Sequence, residues 1–190
     1  ARAATSCDPE MAKVVEEGAE TIVQEVRTLA ALVDAFHRFA RLPETRLGEF
    51  DLRAVVGQVV NLYAGTKAGL TVAAEVPDAA APVRGDEEQI KRALVNLVDN
   101  AVAATPNGGT VAVRASVEEG MARVVVSDDG PGIPPEERGR VFEPTFSTKA
   151  AGWGLGLSIT QRIAAEHRGK VVLEENSPHG CRFVLEWPTA

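Results

Sequence analysis

The chain has 190 residues, 45% hydrophobic and 25% charged, values that suit a globular domain with a sizeable core or a smaller domain with an appendage. Its 27 acids against 20 bases give a formal net charge of -7 without any Lys/Arg run, which argues against nucleic acid as the main partner. Cys7 and Cys181 lie far apart with no CxxC spacing, so both read as free thiols of a reducing compartment.

No apolar run is long enough to cross a bilayer, and no signal peptide is visible. The opening Ala1-Arg2 reads like the interior of a longer protein. The expectation is a cytoplasmic fragment whose parent could be anchored in a membrane.

Residues 8 to about 41 read as one long helix, with Asp8 as cap, Pro9 in the first turn and Pro43 beyond the end. Ile22, Leu29 and Phe36 recur every seven residues, and Val26, Val33 and Ala40 follow four later, a heptad seam that seeks other helices. Such a helix extends roughly 50 Å at the usual rise per residue.

From Glu49 onward helices and strands are mixed. Residues 52–64 are helical by pattern, and residues 70–76 alternate like a strand. Asp86 is placed to cap a helix that stops near Thr105-Pro106. Strands are expected at 110–117 and 122–128, joined by the hairpin signal Glu118-Glu119-Gly120. PPEERGRVF reads as a short helix or turn. A helix runs from the glycine stretch to about His167, and residues 171–175 and 182–188 form a closing hairpin. The expected class is α+β, a two-layer α/β sandwich with helices on one face of a mixed sheet, preceded by the long helix. Domain limits are expected at 1–45 and 46–190.

Three stretches carry potential chemistry. Asn96 and Asn100, four apart, project from one helix face, and an amide oxygen is a competent Mg²⁺ ligand where substrate phosphates supply negative charge. In SDDGPGIP, Asp128 ends a strand where it can accept a hydrogen bond from an exocyclic amine, and Gly130 and Gly132 let backbone approach a flat ring. In GWGLGLS, Gly152, Gly154 and Gly156 open a helix, whose free N–H groups favour an anion; Leu155 and Leu157 are expected to anchor that loop in the core. Lys149 lies three residues upstream, within reach of a phosphate. Each stretch alone also has an ordinary reading: surface amides, an Asp-Gly turn, a glycine turn, a solvated lysine.

Their order decides. N96-L-V-D-N100-A, D128-D-G130-P-G132-I, F142-E-P-T-F146-S-T-K149 and G152-W-G154-L-G156-L together resemble the ATP-binding domain of sensor histidine kinases, in the superfamily of DNA gyrase, Hsp90 and MutL. The resemblance covers about residues 49 to 188 and implies the Bergerat ATP-binding fold, with ATP and Mg²⁺ between the asparagine helix and a mobile lid. It implies Asn100 as the Mg²⁺ ligand and Asn96 beside the phosphates. Asp128 corresponds to the acceptor for the adenine amine, with Gly130, Gly132 and Ile133 along the base. Gly154, Leu155, Gly156 and Leu157 correspond to the phosphate-holding turn, and Phe142, Phe146, Lys149 and Gly152 to the lid.

ATP-hydrolysing relatives carry a glutamate four residues before the metal-binding asparagine. Asn96 stands there in this chain, and an amide cannot take a proton from water. The resemblance therefore implies a kinase rather than a gyrase- or MutL-type ATPase switch; a non-catalytic binding module is the other rival. The long helix looks like the second helix of a dimerisation hairpin, and VDAFHRFARLPE is similar to nitrogen-regulation sensor kinases. A homodimer and a response regulator are the implied partners.

The phosphoacceptor sequence of such kinases is absent: Arg38, not an acid, follows His37, and Pro43 falls one residue late. Gly180-Cys181-Arg182-Phe183 also departs from the family's Gly-x-Thr-Phe, placing Arg182 at the threonine, and Trp153 is uncommon in the glycine run.

Overall fold

The computed structural model describes residues 9–40, 44–105, 108–147, 154–176 and 179–189. The chain separates into two compact units, Ala1–Leu42 and Pro43–Ala190. The first contains helix α1, Pro9–Ala40, 32 residues long. Ile22, Val26, Leu29 and Val33 of the expected heptad seam are all more than half exposed. Asp8 and the side chains of Phe36, His37 and Ala40 lie outside the described residues.

The second unit is the expected sandwich. Its main sheet has strands β2 (Thr71–Glu75), β4 (Thr110–Glu118), β5 (Met121–Asp128), β6 (Lys170–Glu175) and β7 (Cys181–Pro188), in the order β2-β4-β5-β7-β6. Only β2 with β4 is parallel, so the sheet is mixed. The expected β4–β5 hairpin forms, with Glu119 and Gly120 both at positive φ (51° and 76°), the geometry of a type I′ turn. Helices α2 (Leu52–Asn61), α3 (Glu87–Ala104) and α5 (Gly156–Glu166) pack on the sheet; α4 (Pro135–Arg138) is a single turn.

Alternation sorts each strand between two faces. Val111 and Val113 of β4, Val124 and Val126 of β5, and Phe183, Leu185 and Trp187 of β7 share the face that meets Leu94, Leu97 and Val98 of α3 and Ile159 and Ile163 of α5. Asp86 caps α3 as expected, its carboxylate accepting from Gln89 N at 3.1 Å.

A second sheet was not legible from the pattern. β1 (Gly48–Asp51) pairs antiparallel with β3 (Pro82–Gly85), two four-residue strands too short to display alternation. α2 is also shorter than expected, ending at Asn61 before a run of turns.

Trp187 joins the two sheets. Its side chain is fully buried, and its indole Nε1–H donates to Arg84 O at 3.1 Å. Trp187→Phe keeps most of the packing but removes the hydrogen bond to the part-buried Arg84 carbonyl, a loss of about 0.5–1.5 kcal/mol. Trp187→Ala adds a cavity and costs about 3–5 kcal/mol. Urea titration of the two variants checks both the size and the order of these effects.

Candidate nucleotide site

A cavity of about 390 Å³ opens where the C-terminal ends of β5 and α3 meet the start of α5, a size ordinary for a small-molecule site. Of the sequence-derived candidates, Asn100, Asp128, Gly132, Ile133, Phe146, Gly154, Gly156 and Leu157 line it. Asn96, Gly130, Phe142 and Leu155 are not part of that lining. Lys149 and Gly152 lie outside the described residues, as does Trp153.

Asp128 is the last residue of β5 and only 3% exposed. Its Oδ1 accepts from Gly130 N at 2.9 Å and from Cys181 N at 3.2 Å, so two backbone donors fix the plane of a buried carboxylate. The tightness of this turn explains Gly130: a Cβ there would lie 2.8 Å from Asp128 Oδ1 and 2.9 Å from Ala104 O. Gly130 thus shapes the carboxylate's seat rather than the cavity wall.

α3 and α5 meet at Asn96, whose Nδ2 donates to Gly156 O at 3.2 Å. Asn100, one turn later on the same face, lines the cavity. Among the described residues no side chain caps the start of α5, and the N–H groups of a helix's first turn suit an anion. The two leucines diverge. Leu155 is buried as expected, but Leu157 is half-buried and lines the cavity, because the helix beginning at Gly156 turns positions 159 and 163 to the core instead.

The glycine-rich segment is tied at its neck. Thr145 N–H donates to Gly154 O at 3.1 Å, and Thr145 itself holds φ 69°, a strained value for a β-branched residue. Gly154 has φ 65°, and a Cβ there would sit 2.4 Å from Phe146 O. Phe142 braces the wall by meeting Phe183 edge-to-face, centroids 6.3 Å apart. The Arg140 guanidinium lies over the Phe146 ring, 4.8 Å from its centroid.

Sequence reasoning overlooked Cys181 and Glu137, both in the lining. Alternation along β7 was the available signal: Cys181 shares a face with Phe183, Leu185 and Trp187, whereas Arg182 belongs to the opposite face. There Arg182 Nε approaches Glu174 Oε2 at 3.9 Å. The residue that bears on the cavity is therefore Cys181. Burial, and then the neighbouring Asp128 carboxylate, push its thiol from 9.0 up to about 11, against a smaller opposing effect of Arg138.

Among the described residues no three His, Cys, Asp or Glu side chains gather as a metal cluster. Asn100, in the lining, would offer an amide oxygen, a donor type that suits Mg²⁺ where a substrate's phosphates supply the negative charge.

A family model described as histidine kinase-, DNA gyrase B-, and HSP90-like ATPase matches residues 85–190, more than half of the chain. The chain belongs to this ATPase family. Sporulation kinase A of Bacillus subtilis is 28% identical over 173 residues, covering 89% of this chain and 28% of that protein. Nitrogen regulation protein NtrY of Azorhizobium caulinodans is 31% identical over 175 residues, covering 88% of this chain and 22% of that protein. Histidine kinase ThkA, in its crystal structure with response regulator protein TrrA, matches with a TM-score of 0.75 at 29% identity, covering 97% of this chain and 53% of that one. The chain thus spans less than a third of the length of these two curated relatives.

Two outcomes are expected from this geometry. Gly154→Ala introduces backbone strain of about 1–3 kcal/mol at the neck and weakens nucleotide binding roughly tenfold or more, measured by calorimetry. In a Cys7→Ser background, Cys181 resists iodoacetamide at pH 7 and reacts faster as the pH climbs toward 11, since only the thiolate attacks. A raised folded-state value means that the stability this thiol contributes is present below 9.0 and lost as pH rises through about 11. Rapid labelling at neutral pH contradicts this environment.

Proposed function

We propose that this chain is the ATP-binding catalytic domain of a two-component sensor histidine kinase, with part of a dimerisation helix ahead of it. It holds ATP with Mg²⁺ and delivers the γ-phosphate to a histidine outside these 190 residues, for onward transfer to a response-regulator aspartate. The observation that carries this reading is a single cavity joining the buried Asp128 to Asn100 and the uncapped start of α5.

Each group has a distinct task. Asp128, its Oδ1 pinned by two backbone donors, is a rigid acceptor for the exocyclic amine of adenine. The N–H groups opening α5 hold phosphate oxygens, aided by the helix dipole. Asn100 supplies an amide oxygen to Mg²⁺, which when bound neutralises charge on the phosphates. The chain contributes position and electrostatics to phosphoryl transfer and forms no covalent bond to phosphorus. Membership of the family and the likeness to named kinases support the same activity.

The exposed apolar stripe of α1 favours a helical partner, which supports a four-helix bundle built by two copies of the intact protein. The ThkA–TrrA complex supports a response-regulator receiver domain as the other partner. Similarity to NtrY and the phrase VDAFHRFARLPE lend modest support to the nitrogen-regulation subfamily. No described helix is long and apolar enough to cross a membrane; the reading places this part of the chain in the cytoplasm, with any anchor elsewhere in the parent. The ATPase rival lacks its base, because position 96 carries an amide.

Mg-nucleotide is expected to raise the melting temperature and bind measurably by calorimetry, and Asn100→Ala to lose roughly tenfold or more in affinity. Incubated with labelled ATP, the 190-residue chain acquires no acid-labile phosphate and turns over little. Indifference to nucleotide, or self-labelling, overturns the reading.

A further inference from the structure

The far end of the α3–α5 pair carries a second constellation. Asn96 meets Gly156, while Asp86 meets His167, so the two helices run antiparallel along their length. Ten residues separate Asp86 from Asn96, and ten separate Gly156 from Glu166, about 15 Å along each axis. One end of this strut faces the nucleotide cavity. The other grips the chain where it enters the domain.

The grip is specific. Thr45 Oγ1 donates to Glu166 Oε2 at 2.8 Å and accepts from Gln89 Nε2 at 3.1 Å. Arg46 N–H donates to Asp86 Oδ2 at 2.7 Å, using the carboxylate oxygen that the α3 cap leaves over. Asp86 N–H in turn donates to the buried His167 Nε2 at 2.8 Å, which assigns the ring proton to Nδ1, donating to Ile163 O. Glu166 is held from its other side by Arg162, whose Nε lies 3.1 Å from Oε1. β1 begins two residues after Arg46 and adds its pairing with β3. α3 and α5, which carry the cavity's Asn100 and its anion-binding turn, therefore also hold the incoming linker.

We propose that Thr45, Gln89 and Glu166, with Asp86 on the Arg46 amide, form a linker clamp and act as positioning residues for phosphoryl delivery. This rests on the kinase reading above. A donor domain that must meet an acceptor carried on another part of the protein loses rate steeply when its point of attachment shifts, because small misplacements near attack geometry are costly. The clamp makes that point of attachment part of the same rigid helix pair that holds the triphosphate.

The test compares Thr45→Val, which removes the hydroxyl at constant shape, with Thr45→Ser, which restores it, and with Glu166→Gln. In the 190-residue chain, Thr45→Val is expected to speed amide exchange of Arg46 roughly tenfold, while the calorimetric affinity for Mg-nucleotide stays within about twofold. In the longer protein carrying the acceptor histidine, whose unmodified form is labelled by ATP, Thr45→Val and Glu166→Gln lower the single-turnover transfer rate at saturating nucleotide roughly tenfold. Thr45→Ser recovers it. Unchanged Arg46 exchange overturns the clamp. Faster exchange with an unaltered transfer rate reduces it to a structural contact and equally overturns the proposal. Failure of the unmodified proteins to bind nucleotide or to label a histidine instead strikes the kinase reading, and is seen before any variant is compared.

Discussion

The antiparallel seam between α3 and α5 is the constraint on which the site depends. Apolar packing holds it along its length, with Ala93, Leu94 and Leu97 on one helix and Ile159, Ile163 and Ala164 on the other all buried. A polar contact crosses it beside the cavity. Gly156 O accepts from Asn96 Nδ2 of α3 at 3.2 Å, and also from Thr160 Oγ1 within α5 at 3.0 Å. Neither bond uses an N–H at the start of α5. The side chain that ties this helix to α3 therefore acts through a carbonyl and not through the N–H groups of its first turn.

Asp128 gives the sheet a matching role. Alternation puts it on the same face as Val124 and Val126, at the end of an otherwise apolar row. A carboxylate buried there needs donors, and the surrounding backbone supplies them from two separate loops. Asn176 Nδ2 adds a bond to the Asp128 carbonyl at 2.7 Å. The connection after β5 and the two ends of the β6–β7 connection thus converge on one residue. The demand to satisfy a buried acid organises the Asp128 end of the cavity, just as the α3–α5 seam organises the Gly156 end.

Features written in local chemistry were legible from the sequence. The Asp86 cap, the Glu119-Gly120 hairpin turn and the apolar alternation of β4, β5 and β7 each depend on a few neighbouring residues. Features that depend on distant partners were not. β1 and β3 exist because residues more than thirty apart pair with each other, and nothing in GEFD or PVRG alone requires it. The neck between Thr145 and Gly154 escaped because it holds a β-branched residue at positive φ, a local disadvantage that only tertiary contacts sustain. At the end of β7 a motif comparison drew attention to Arg182, whereas simple alternation points to Cys181. Leu157 illustrates the reverse difficulty: its apolarity suggested the core, but the helical phase set by Gly156 turned it to the cavity.

Position 96 joins structure and chemistry most closely. Its amide nitrogen donates to Gly156 O, the bond that crosses the α3–α5 seam beside the cavity. An ionised glutamate is acceptor-only. In the same place it would set an oxygen against that carbonyl, removing the tie and adding repulsion. The side chain at 96, an amide that cannot take a proton from water, is thus also one that ties the two helices beside the cavity. A glutamate at position 96 would therefore weaken the polar tie between α3 and α5 while leaving their apolar packing in place.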